Sequence, residues 1–184
     1  MALLRSMAPD GAPREVTIRL NGPIEAGAAE AVRARLSEAG LFAKPVVHID
    51  SEGGIYHEAM TIYHALMDRP YPAECHAGGR CSSAAVIILL AGAVRTARPW
   101  TKFVLHAPAL TEAAGRERLT AGVVTAVGKN LAEAEGHMVR VLRERAHLSL
   151  SSVRKVMRGE TRLNAEQACQ WGLVHRVLEK WTDA

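Results

Sequence analysis

The sequence predicts an α/β domain, and three observations carry that reading. Strand-like stretches alternate along the chain with stretches of helical spacing. The joints between them are marked by Gly, Pro and Asn. Hydrophobic residues make up 48% of the 184 positions and charged residues 23%, enough apolar matter for one packed core without the bias of a disordered or collagen-like chain.

Taken in order, residues 1–14 hold Pro9, Asp10, Gly11 and Pro13 without periodicity and read as a flexible lead-in to a single domain over residues 15–184. Val16, Ile18 and Leu20 alternate with Thr17 and Arg19, a half-buried strand that Asn21-Gly22-Pro23 stops. Ala28, Val32, Leu36 and Ala39 recur at helical spacing up to Gly40, and Pro45 to Asp50 form a short second strand. Ala59, Ile62, Tyr63 and Leu66 line one face of a helix closed by Pro70 and Pro72. Ala73 to Ala77 read as a short strand, Gly78-Gly79 as a turn, and the apolar run from Ala84 as a buried helix. Lys102 to His106 give a further strand, ended by Pro108. Residues 116–146 read as a long helix with Leu119, Val123, Val127, Leu131, Ala134, Met138 and Val141 near one stripe. Gly122, Gly128 and Gly136 each weaken that helix by roughly 1 kcal/mol relative to alanine, which leaves room for a break near Gly128. Ser151 to Met157 form a short helix, and Asn164-Ala165-Glu166-Gln167 cap another that Gly172 ends before the stretch Leu173 to Leu178.

Composition narrows the function. A formal charge of +4 is mild, and 4% aromatic residues leave little stacking surface, which argues against a nucleic-acid partner. Cys75, Cys81 and Cys169 cannot all pair and match no zinc or redox spacing. The N-terminal residues hold no apolar stretch of signal-peptide length, and the run Ala84 to Val94 is well short of a membrane span, so the expectation is a cytoplasmic protein with no membrane association. The eight histidines show no metal-binding spacing, and neither a metal nor a cofactor is implied.

The chemistry lies in Gly79-Arg80-Cys81-Ser82-Ser83-Ala84-Ala85. A serine at the first turn of a buried helix stands where unpaired backbone N–H groups and the helix dipole favour a developing oxyanion. Acyl transfer then needs a base, an acid that orients it and two oxyanion donors. Ser83 supplies the nucleophile, His106 the base, and the backbone N–H groups of Gly54 and Ala84 the oxyanion hole. Glycine at 54 lets the backbone approach a substrate carbonyl closely. The structural alternatives are that Ser82 and Ser83 only cap a helix, that His106 only ends a strand, and that Cys81 packs as a small apolar residue.

These residues resemble the Clp protease proteolytic subunit family, which includes the head-maturation proteases of phages. Asp50-Ser51-Glu52-Gly53-Gly54 is similar to that family's Asn-Ser-Pro-Gly-Gly, and Ala59-Met60-Thr61-Ile62-Tyr63 to its Gly-Met-x-Ile-Tyr. The Ser83 segment resembles Gly-Gln-Ala-Ala-Ser-Met-Gly, and Leu105-His106-Ala107-Pro108 resembles Ile-His-Gln-Pro. Arg162-Leu163-Asn164-Ala165 and Trp171-Gly172-Leu173-Val174 resemble Phe-Leu-Ser-Ala and Tyr-Gly-Leu-Val. The resemblance implies a spiral of β-β-α units of the ClpP/crotonase type with a projecting handle helix, a serine endopeptidase acting on peptide or protein substrates through an acyl-enzyme, and a homo-oligomeric ring. It puts Glu160 where the family has its catalytic aspartate, with Asp50 the alternative acid. Glu52 replaces the usual proline and is expected to face solvent. Val46 and His48 stand where tyrosines help dock the ATPase, and the axial-loop segment is largely missing, which argues against a Clp ATPase partner.

Three other readings compete. A ring subunit without activity would explain the replacement at Glu160. A crotonase-type acyl-CoA enzyme shares the architecture and the paired N–H donors but needs no Ser-His pair. Residues 140–159, with helix, short turn and basic helix, have the plan of a helix-turn-helix DNA reader.

Overall fold

The computed structural model describes residues 12–109 and 121–179. In chain order these form β1 (Glu15–Asn21), α1 (Ala28–Ala39), β2 (Lys44–Ser51), α2 (Tyr56–Met67), β3 (Glu74–Ser82), α3 (Ala84–Ala91), β4 (Val94–Ala97), β5 (Lys102–Leu105), α4 (Ala121–Arg145), α5 (Leu150–Arg158), β6 (Thr161–Asn164), α6 (Ala165–Gln170) and β7 (Arg176–Val177). Parallel neighbours need a crossover between them, and α1, α2 and α3 supply those joining β1 to β2, β2 to β3 and β3 to β4. The sheet order is β1-β2-β3-β4-β7, with β5 beside β3 and β6 antiparallel to β5.

Burial follows from this layering. Val16 and Ile18 on β1, Val47 and Ile49 on β2, and Cys75 and Ala77 on β3 point to the buried side. All eight residues of α3 are buried, as expected of a helix that is apolar on every face. Val32 and Leu36 of α1, and Ile62, Tyr63 and Leu66 of α2, complete the core.

Two expectations are corrected, and two strands are added. Gly78-Gly79 is not a turn: β3 runs through it to Ser82. The sheet forks there instead, because the first half of β3 pairs with β4 and its last three residues, Arg80 to Ser82, pair with β5. The Thr101 hydroxyl donates to the carbonyls of Ala77 and Gly78 at 3.0 and 2.7 Å, satisfying acceptors at the fork. On the other side of β3, the register to β2 shifts between Ile49 and Ser51. Asp50 fills this bulge, accepting the Arg80 N–H at 2.8 Å and occupying the space a side chain at Gly79 would need.

β4 and β6 are strands that four-residue segments are too short to announce by periodicity. The other correction concerns α4, which is continuous from Ala121 to Arg145 without a break at Gly128. Both Gly128 and Gly136 face open space, so their cost is only the propensity term. The expected start of this helix at 116, with Leu119, lies outside the described residues. Among the described residues, no helix is long and apolar enough to cross a membrane.

The base of α4 is tied to the rest by two arginines. Arg95 is only 3% exposed. Its Nε donates to the Leu173 carbonyl at 2.8 Å, Nη1 to Gly92 at 2.9 Å, and Nη2 to Arg145 and Gly172 at 2.9 and 3.0 Å. Arg145 in turn donates through Nε to Leu90 at 2.9 Å and through Nη2 to Gly92 at 3.2 Å. The acceptors thus include the last carbonyls of α3 and α4, which have no partner within their own helices. Burial and the neighbouring Arg145 cation lower the Arg95 pKa to about 10, so it stays charged at neutral pH.

Removing this guanidinium would orphan buried carbonyls, each worth on the order of 1–3 kcal/mol. Arg95→Met is therefore expected to lower stability by roughly 3 kcal/mol or more, read as a reduced urea midpoint. A midpoint equal to that of the parent would contradict this account.

Candidate active site

Ser83 links the end of β3 to the start of α3. Its backbone adopts φ 52° and ψ −123°, a strained conformation for a residue with a side chain. Such a sharp strand-to-helix turn is how a nucleophile is lifted above a sheet. The Ser83 N–H donates to the Val104 carbonyl at 2.7 Å, which locks the serine to β5 two residues before His106.

The glycine pair closes on this turn. A Cβ on Gly53 would lie 2.6 Å from the Ser82 carbonyl, 2.8 Å from Ser83 Cβ and 3.0 Å from the Ala84 nitrogen, so the two backbones are in contact and only glycine fits. The Ser51 hydroxyl, fully buried, accepts the Gly53 N–H at 3.1 Å and fixes the loop from behind. Ile24 clamps it from the front: its N–H donates to the Gly53 carbonyl and its carbonyl accepts the Ile55 N–H, both at 2.8 Å. That clamp skips Gly54, whose φ is +147° and whose N–H has no backbone acceptor among the described residues. The Ala84 N–H, at the first turn of α3, has none either. The residues that follow Gly53 and Ser83 thus each carry an N–H with no backbone acceptor among the described residues.

His106 follows the last residue of β5 and is half-buried. Its Nδ1 lies 2.7 Å from the Ala107 carbonyl. A carbonyl only accepts, so the proton is on Nδ1 and Nε2 is left as the basic nitrogen. Glu160 precedes β6. The antiparallel register ends at Leu105 opposite Thr161, so His106 and Glu160 are each the next residue beyond the last pair. The Glu160 carboxylate itself is turned to Arg162 Nε at 2.6 Å, in an exposed pair. Thus the Ser83 turn touches the glycine loop and is tied to β5 two residues before His106, whereas the Glu160 carboxylate is engaged by Arg162.

The other residues singled out fall elsewhere. Asp50 is exposed and holds the β2–β3 bulge. Cys81 is fully buried and burial raises its thiol pKa strongly, which leaves it inert. Glu52 is exposed, 3.4 Å from the Arg80 guanidinium. Residues 140–159 are the end of α4 and all of α5. Three participants were not read from the sequence: Gly53 as the contact residue, Ser51 as its support, and the Ala107 carbonyl as the partner of Nδ1. The doublet Gly53-Gly54 was the available signal for the first, because one glycine suffices for a donor and the second needs another reason.

Compared with known proteins, the chain matches the Clp protease family model over residues 10–181. It belongs to the Clp protease family. A relative from Streptomyces coelicolor, described as an ATP-dependent Clp protease proteolytic subunit-like protein, is 27% identical over 134 residues, 72% of this chain. That alignment spans 62% of the relative's own length. A mutant of ClpP1 from Listeria monocytogenes superposes with a TM-score of 0.76 at 21% identity, covering 90% of this chain and 92% of that one. The fold is therefore the ClpP fold, and membership of this family supports a serine peptidase in general.

The contact at Gly53 generates a direct expectation. Gly53→Ala adds both a positive-φ penalty and a clash with backbone, together on the order of 2–4 kcal/mol. It should lower thermal stability and displace the Ser83 turn, whereas Gly128→Ala, in open space on α4, should be neutral or slightly stabilising. Equal melting temperatures for Gly53→Ala and the parent would remove the contact from the argument.

Proposed function

We propose that this Clp-family chain is a serine endopeptidase using Ser83, His106 and Glu160, with the N–H groups of Gly54 and Ala84 as its oxyanion hole. The observation that carries the reading is the strained Ser83 turn pressed against Gly53, with the N–H groups of the next residues, Gly54 and Ala84, without backbone acceptors among the described residues. Ser83 Oγ attacks the peptide carbonyl carbon while His106 Nε2 takes its proton. The two N–H groups hold the oxyanion, and the imidazolium then protonates the leaving amine. Water, deprotonated by the same imidazole, releases the acyl-enzyme.

In the isolated chain the Ala107 carbonyl orients His106 and Arg162 holds Glu160. The active arrangement swaps these partners: the glutamate leaves Arg162 and accepts a hydrogen bond from Nδ1–H, where its charge also stabilises the imidazolium. The swap requires the β5–β6 register to extend by one residue beyond Leu105 and Thr161, which would bring Glu160 opposite His106 at about 5 Å. A fluorophosphonate probe should label Ser83 in the full chain. Ser83→Ala should abolish labelling and peptide hydrolysis, and Glu160→Gln should lower kcat by at least tenfold without changing the melting temperature. Labelling at another residue, or an undiminished rate in Ser83→Ala, would overturn the assignment; survival of acyl-CoA chemistry in that variant would select the crotonase-type reading.

The working form is a homo-oligomeric ring joined through α4. The second half of that helix is buried on the head through Ala134, Met138, Val141 and Leu142, but the apolar stripe continues through Val127 and Leu131, which stay partly exposed, and Val124 is 56% exposed. Val124→Glu combined with Leu131→Glu should reduce the mass seen by analytical ultracentrifugation and lower peptidase activity with it. A monomeric parent at micromolar concentration, or an unaltered assembly in the double variant, would exclude this interface. Met138 is too buried in the monomer to serve as such a probe.

A further inference from the structure

The short helix α5 has two contrasting sides. Val153 and Val156 are buried in the core and Met157 packs half-buried against it. At about 3.6 residues per turn, Leu150, Ser151, Arg154, Lys155 and Arg158 fall together on the opposite side, and all five are exposed. That side holds three cations and no carboxylate, and among the described residues none of the three is paired with an acid. Residues 140–162 carry seven Arg and Lys against two Glu, a net +5 where the whole chain has +4, so the rest of the chain is slightly acidic. Within this stretch Arg145 is engaged by carbonyls, Arg162 is held by Glu160, and Arg140 and Arg143 share a cavity on α4 with Glu144. The cations of α5 have no such neighbour.

We propose that this exposed face of α5 is a docking surface for an acidic protein segment, which sets carboxylates on Arg154, Lys155 and Arg158 and an apolar side chain on Leu150. Charge complementarity is the first argument: one exposed ion pair contributes little, but several on one face add together and steer the encounter. Leu150, 45% exposed, gives the cationic face an apolar end that a phosphate backbone would leave unused. Residues 140–162 also hold no Phe, Trp or Tyr on which bases could stack, so the same stretch that has the plan of a helix-turn-helix is better matched to carboxylates than to nucleic acid. A lone exposed leucine is too little apolar surface for insertion into a membrane.

The helix is held in place before any partner arrives. Its two buried valines anchor one side, and the Ser149 hydroxyl caps its start by accepting the Ser152 N–H at 3.1 Å. The cations are therefore displayed from a fixed element, which lowers the ordering cost of binding. Leu150 and Arg158 span about 12 Å along the axis, the length of about four residues of extended chain. The fitting ligand is thus a short stretch with two or three Asp or Glu and an apolar residue at one end. None of these α5 residues is assigned to the Ser83 site, so the surface does not depend on the peptidase reading.

The test is fluorescence anisotropy on the full chain, with Ser83→Ala run beside the parent so that hydrolysis of a probe is told apart from its release. Three labelled probes are compared: a short peptide of Glu and Leu, the same peptide with Ser in place of Leu, and a DNA duplex. The Glu-Leu peptide should bind one-to-one in the micromolar range and weaken at least about tenfold as salt rises from about 50 to about 200 mM, because exposed charge pairs are screened. The Ser peptide on the parent, and the Glu-Leu peptide on Leu150→Ser, should each bind several-fold more weakly. Arg154→Gln combined with Lys155→Gln should weaken binding about tenfold, and the corresponding pair of Glu replacements should abolish it. Arg33→Glu combined with Arg35→Glu, on the exposed side of α1, should leave binding unchanged and so separate the α5 face from net charge. No binding of the Glu-Leu peptide, equal losses in the α5 and α1 variants, or tighter binding of the duplex than of either peptide would overturn the proposal. A changed assembled mass in the α5 variants would overturn it as well, by assigning the face to contacts between copies of the chain.

Discussion

The arrangement turns on a buried cation satisfied by carbonyls. Arg95 reaches from β4 to the end of α3, the end of α4 and the segment Gly172-Leu173, and with Arg145 it gathers chain ends that would otherwise meet with unpaired acceptors. Helix C-termini carry partial negative charge, so a guanidinium can stand among them without a carboxylate counter-ion. This explains how the long α4 helix is held to the head by its last turns while its first half carries an apolar stripe into solvent. It also places β7, through the pairing of His175 and Arg95, at the far edge of the sheet.

A second constraint divides the molecule into two chemistries. The bulge between Ile49 and Ser51 lets Asp50 reach the Arg80 N–H on the open face while Ser51, the next residue, turns inward to hold Gly53. From that one irregularity the glycine loop is delivered to Ser83 on one side, and the rung of Arg19, His48 and His76 lies on the other. That rung is polar, with Arg19 exposed, the two histidines half-buried and Thr96 buried.

Much of the fold was legible locally. Val16 and Ile18 announced β1 by alternation, Val32 and Leu36 announced α1 by spacing, and the Asn164–Gln167 capping box fixed the start of α6 as the sequence suggested. What escaped was short or non-local. β4 and β6 have four residues each and exist because β3 and β5 offer them open edges. Gly78-Gly79 carries the composition of a turn, but the Asp50 carboxylate against Gly79 and the Arg80 N–H, with the Thr101 hydroxyl on Gly78, keep it extended. Local propensity lost to pairing there.

The sequence by itself determined the alternation of strands and helices, the buried helix behind Ser83, and the order in which a glycine doublet, a serine and a histidine occur. Those are properties of neighbours along the chain, where side-chain period and turn chemistry act directly. Only the tertiary structure decided that Gly53 makes the contact and Gly54 keeps its N–H, that Asp50 belongs to the opposite face, and that Arg19, His48, His76 and Thr96 form one rung. Those residues lie tens of positions apart, and a shift of one residue in any strand would turn them to the other face, so their meeting is set by sheet register and core packing rather than by any local pattern.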